Sequence, residues 1–152
     1  MAITAAEART QILDDLAGAV DQVALAVGAL GEAFELLPEG AGERLEDTLF
    51  RPVQKAYARG KRTHAGFAER NSLPTRAFEL PSPGGSSQGA PALVQQAVGA
   101  AAEADRRIAE LQDSMLPIES GDPELRAGLS EFRELLSQVA VSAREFVRTL
   151  GR

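Results

Sequence analysis

The chain has 152 residues, enough for one ordinary domain with a real apolar core, and it contains no cysteine. Disulfides, thiolate metal sites, iron–sulfur clusters and cysteine nucleophiles are thereby excluded together, and a fold held by apolar packing alone suits the reducing cytoplasm expected for it. A formal net charge of −6 argues against nucleic acid as the main partner, because phosphate binding is driven by counterion release from Lys and Arg. Aromatic residues make up only 5%, and with abundant Ala and Leu that composition belongs to closely packed helices rather than to sheets.

Thr4, followed three residues later by Glu7, reads as a capping box that opens a first helix over about 4–37. Leu13, Leu16, Val20, Val23, Val27, Leu30, Phe34 and Leu37 alternate at steps of three and four, a heptad seam that other helices must cover. No secretory signal is expected, since Glu7 precedes any apolar run and a basic n-region is missing. The longest candidate membrane stretch, Val23–Gly31, falls far short of the roughly 20 residues of a span. Pro38 closes this helix, and the short glycine-containing connection Glu39–Gly42 predicts an antiparallel second helix.

The second helix is predicted over about 43–70, with Leu49, Val53, Ala56, Gly60, Thr63 and Phe67 on its seam and Phe50, Tyr57 and His64 beside it. Pro52 has no amide to donate and its ring collides with the preceding turn, so a kink near Thr48–Arg51, or a break into two short helices, is expected. Asn71 is expected to end the helix in the left-handed conformation. From Arg51 to Arg76, seven cations stand against Glu69 alone. Packed between acids such as Asp14, Asp21, Glu103 and Glu110, such a helix would fix the order of its neighbours. Arg51, Lys55, Arg59 and Arg62 also share one side at steps of four, four and three, a stripe able to meet an anion, an acidic protein or phosphate. Only Tyr57 offers a nearby exposed aromatic tip, which leaves little for stacking single strands.

Leu73–Ala90 is a long irregular loop rich in Pro, Gly and Ser. Within it Thr75–Leu80 alternates polar and apolar residues, a pattern that docks on a partner as an extended peptide or folds back with Phe78 and Leu80 over the open end of the helices. The third helix, about 91–116, carries Val94, Ala97, Ala101, Ala104, Ile108, Leu111 and Met115 and is ended by Pro117. The loop is long enough to let this helix run parallel or antiparallel to the second. Asp122 and Pro123 open a fourth helix over about 122–150, with Leu125, Leu129, Phe132, Leu136, Val139, Ala143, Phe146 and Leu150 on its seam. The elements predict a single all-α domain over 1–152, a four-helix bundle of long amphipathic helices with a loop at 73–90.

Bundles hold metals through Glu-x-x-His pairs from two helices, which one histidine, with Lys61 three residues before it, does not supply. Two-histidine haem ligation fails for the same reason, a nucleophilic triad would have to rely on His64 alone, and Gly84-Gly85-Ser86-Ser87 lacks the lysine and strand of a phosphate loop. No catalytic residue, metal ligand or cofactor is therefore assigned. Attention falls on Gly60 and Thr63, with Tyr57 and His64 alongside, facing Ala97, Ala101 and Ala104. Small residues on facing helices either bring backbones together or leave a pocket in which Tyr57, Thr63 and His64 are the polar points. His64 itself is expected on a partly exposed flank, hydrogen-bonded to an acid or to water. Leu25, Leu36, Val98 and Leu135 widen the apolar stripes beyond their seams. The leading expectation is a non-catalytic protein that associates with itself or with another protein; a small-molecule pocket and an anion- or nucleic-acid-binding stripe are the alternatives.

Overall fold

The computed structural model describes residues 3–82 and 89–150, so Gly84, Gly85, Ser86 and Ser87 of the loop lie outside the described residues, as does the side chain of Leu150. The fold is all-helical, with no strand among the described residues: α1 (Ala5–Leu36), α2 (Glu39–Leu45), a π-helical turn (Glu46–Phe50), α3 (Arg51–Arg70), α4 (Ala90–Asp113), the short α5 (Leu116–Glu119) and α6 (Pro123–Leu150). Thr4 Oγ1 accepts from the Glu7 amide at 3.1 Å, and Asp122 Oδ1 accepts from the Leu125 amide at 3.1 Å, so both expected N-caps are formed.

The predicted interruption at Pro52 takes another form. The chain is helical from Glu39, four residues earlier than expected, and the Arg51 amide reaches back to the Glu46 carbonyl. That five-residue step widens the turn ahead of Pro52 and relieves the collision an α-turn would impose, while Leu45 and Arg51 keep α-helical dihedrals on either side. Two other boundaries move. Asn71 has φ −108° and its side-chain amide donates to Phe67 O, while Ser72 takes the left-handed position (φ 54°) and the Leu73 amide closes on Ala68 O. The third helix stops at Asp113 rather than at Pro117; Met115 turns left-handed (φ 68°), is 48% exposed instead of seated on a seam, and Pro117 lies inside α5.

Side-chain pairings set the directions of the helices. Arg70 bonds Asp122 and Glu124, Thr63 lies against Gly128, and Arg59 bonds Glu131, so numbers fall along α3 as they rise along α6. Val20 on Gly60 and Phe50 beside Gly31 make α1 antiparallel to α3. Gln95 and Val98 share a groove with Arg144 and Arg148, while Gln112 shares a hollow with Arg126 and Leu129, so α4 is antiparallel to α6 and, through the pairings above, to α1. α1 packs on α3 and α4, and α6 packs on the same two. α3 and α4 are thus not neighbours, and they run parallel. The connection over 71–89 must travel the length of the molecule, which settles the direction the loop had left open.

The core follows the seams, with Leu16, Val20, Val23, Leu49, Phe67, Ile108, Leu129 and Phe132 all nearly inaccessible. α1 goes further: Ala19, Ala24, Ala26, Ala29 and Ala33 are buried as well, so the apolar face is much wider than a two-position seam, although Phe34 at its end is 38% exposed. By length and composition α1 could cross a membrane, counting a longer window than Val23–Gly31, and 61% of that window is buried inside the protein. Leu25, Val98 and Leu135 pack partly buried against the core, whereas Leu36 is 48% exposed.

Close approaches of backbone to side chain occur at Gly128, where a methyl group would sit 2.5 Å from Thr63 Oγ1, and at Gly60. A methyl group there would sit 2.8 Å from Phe132 Cζ and 3.0 Å from Val20 Cγ2. Gly60→Leu gains roughly 1 kcal/mol of helix propensity but must force a side chain into that layer, where overpacking costs about 1–3 kcal/mol or more. A lowered melting temperature is the expected outcome. Gly99, where an added methyl group would meet nothing within 4 Å, is the control; Gly99→Ala should raise stability by about 0.5–1 kcal/mol in the same melting experiment.

Candidate functional sites

The small residues predicted to line one pocket are divided between different places. Gly60 is filled by Phe132 and Val20. Thr63, 5% exposed, donates to Arg59 O at 2.8 Å, accepts from Arg59 Nη1 at 3.3 Å and packs on Gly128, so its hydroxyl is satisfied. Tyr57 is 8% exposed rather than tipped into solvent, and Lys61 Nζ lies 4.2 Å from the centre of its ring. Burial raises the Tyr57 pKa, and the charge of Asp21 raises it further. Ala97, Ala101 and Ala104 are buried on α4, across the diagonal from α3, and do not face Gly60.

The basic stripe is partly spent within the protein. Arg51 pairs with Glu46 at 3.6 Å and Asp47 at 3.4 Å, and Arg59 pairs with Glu131 at 2.5 Å. Lys55 and Arg62 are exposed and have no ion-pair partner among the described residues. Of the acids expected to answer the basic segment, Asp21 does so, holding Arg76 at 3.0 Å; Arg70 is held instead by Asp122 and Glu124 of α6. Glu103 and Glu110 are engaged on their own helix by Arg106, and Arg107 also reaches Glu103. Hydrogen bonds from Arg106 and Arg107 hold the Glu103 carboxyl down at about 2. At Asp122 burial favours the neutral acid, but hydrogen bonds from Arg70 and from the Leu125 amide outweigh it and lower the pKa.

Two concavities are present that the pattern of seams does not place. The first is a groove of about 600 Å³ between α4 and α6, floored by Ala101, Leu136, Val139 and Ala143, walled by Val98 and Val147, and rimmed by Gln95, Arg144 and Arg148. Its signal in the sequence is the facing of small residues, Ala101 and Ala102 on one helix and Ala140 and Ala143 on the other, with no large side chain between them.

The second lies where the segment after α3 folds back over α1 and α3. Leu73, Pro74, Thr75 and Arg76 cover a space of about 570 Å³ walled by one face of α1, from Thr10 to Asp21, and by His64. Phe78 turns inward onto the His64 ring, edge to face with centroids 5.2 Å apart, and Arg76 lies 4.7 Å over the Phe78 ring. Phe78 therefore covers a flank rather than an open end, and Leu80 stays 52% exposed. His64 is 4% exposed, not on an open flank; its ring makes no hydrogen bond among the described residues, and its nitrogens are not sealed away from the cavity. Asp14 and Asp21, seven residues apart on α1 and flanking Gly18, were the legible trace of this cavity.

No family model, no curated protein and no solved structure matches this chain.

Burial, then the positive charge of Arg76, lowers the His64 pKa from 6.5, and the carboxylates of Asp14 and Asp21 oppose this only in part. With the folded pKa below the unfolded one, the unfolded chain binds more protons between the two values, so stability is full above pH 6.5 and falls as the pH drops below it. His64→Gln removes the titration. Melting temperatures measured between about pH 7.5 and about pH 5.5 should decline less steeply for the variant than for the native chain, even if the variant melts lower throughout.

Proposed function

We propose that this chain is a four-helix bundle, built from α1, the continuous α2–α3 segment, α4 and α6, that works by association rather than by catalysis, and that its partner is a second copy of itself. The observation that carries this reading is the outer stripe of α6. Glu134, Val141 and Arg148 follow at intervals of seven, all three are exposed, and Val141 is 62% exposed, more than any other large apolar side chain among the described residues.

Two turns of helix separate each pair, so the three residues lie on one stripe. If two α6 helices meet antiparallel with Val141 on the two-fold axis, the valines touch, and each Arg148 stands beside Glu134 of the partner subunit. The patch is complementary to itself, as a two-fold interface requires. The apolar groove between α4 and α6 shares Arg148 as its rim, so closure of the pair would also cover a surface that monomers rarely leave open.

Sedimentation velocity across a dilution series tests this. The native protein should sediment as a dimer that dissociates on dilution, and Val141→Asp should sediment as a monomer. Glu134→Arg or Arg148→Glu alone sets like charges opposite each other twice and should weaken the dimer about tenfold or more, while the double exchange E134R/R148E restores it. A native protein that is monomeric at every concentration ends the proposal.

A further inference from the structure

The cavity beneath the 73–76 strap has the size of a small-molecule site, and its charges do not cancel. Leu13, Ala17, Leu73 and Pro74 give it apolar walls. Of the three formal charges in its lining, Arg76 and Asp21 neutralise each other at 3.0 Å. Asp14 is left with no ion-pair partner among the described residues. On its other side Asp14 borders a smaller hollow that contains Arg106 and Arg107, but those guanidinium groups are held by Glu103 and Glu110. The His64 ring is buried at 4% exposure and is a neutral acceptor and donor without a partner among the described residues. Its nitrogens stay open to the cavity, so a ligand lodged there can take up hydrogen bonds that the protein itself leaves unmade.

We propose that this cavity binds a small organic cation, a monoamine with an apolar body, whose ammonium group is held by the Asp14 carboxylate and the His64 ring nitrogen. The residual charge of the lining is a single negative one, which matches one ammonium group and disfavours a carboxylate or a phosphate. The Thr10 and Thr75 hydroxyls supply further acceptors at the margin, and the apolar walls take the body of the ligand. The site is independent of the α6 stripe, since none of its lining lies on α4 or α6.

The chain has one histidine, so its ring resonances report this cavity alone. Benzylamine added to the isotope-labelled protein should shift the His64 resonances saturably, and benzyl alcohol and benzoate, of the same shape, should bind about tenfold more weakly or worse. Asp14→Asn should weaken benzylamine by a comparable factor while leaving the melting temperature near that of the native chain, and Asp15→Asn, one residue outside the lining, should leave binding unchanged. Absence of a saturable shift with benzylamine overturns the proposal. So does equal binding of the amine and the alcohol, or native affinity in Asp14→Asn.

Discussion

The close approach of α3 to α6 and α1 is the constraint on which the rest of the molecule depends. At Gly60 and Gly128 no side chain intervenes, and Phe132, Val20 and Thr63 fill the space directly against backbone. Once those layers are engaged, the pairs farther out follow as a matter of register: Arg59 meets Glu131 and Arg70 meets Asp122 only because the helices are held antiparallel and near. Exposed pairs of this kind add at most about 1 kcal/mol each, so they select the register more than they hold it. Thr63 can sit in this dry region because its hydroxyl is returned to the carbonyl one turn back.

Where no such filling residue exists, space remains. Between α4 and α6 the small side chains come from both sides, Ala101 and Ala102 against Ala140 and Ala143, and no aromatic ring descends between them as Phe132 does at Gly60. The strap cavity arises differently. Gly18 is occupied from the α4 side by Arg107, the α3 side offers His64, and the covering segment is built from Pro74, Thr75 and Arg76, which bridge the gap without entering it. Both hollows are therefore consequences of composition at particular positions, not of loose packing in general.

Much of the fold was legible in the sequence because seams report burial directly. The periodicity of Leu125, Leu129, Phe132, Leu136, Val139 and Ala143 places each of them in the core, and Asp122 with Pro123 marks the start of α6. Periodicity does not say which helices are neighbours. Gly60 and Ala101 both belong to buried stripes, yet they lie on diagonal helices, and so the pocket drawn between them does not form. Pro52 announced a disturbance but not its remedy, which depends on whether the Glu46 carbonyl can receive the Arg51 amide. Pro117 misled because Ser114 and Met115 end the preceding helix first. His64 was legible as a residue beside the seam; its burial comes from Phe78, fourteen residues later and outside any helix.

The parallel, diagonal placement of α3 and α4 makes the 71–89 connection a structural dimension of the protein. α3 alone rises roughly 30 Å over its twenty residues, and the chain must recover that distance before α4 begins. A connection cut below about ten residues, at roughly 3.3 Å each, could not reach. With a connection that short, α3 and α4 could not both keep their places against α1 and α6, so the length of the 71–89 segment is as much a requirement of this arrangement as any buried side chain.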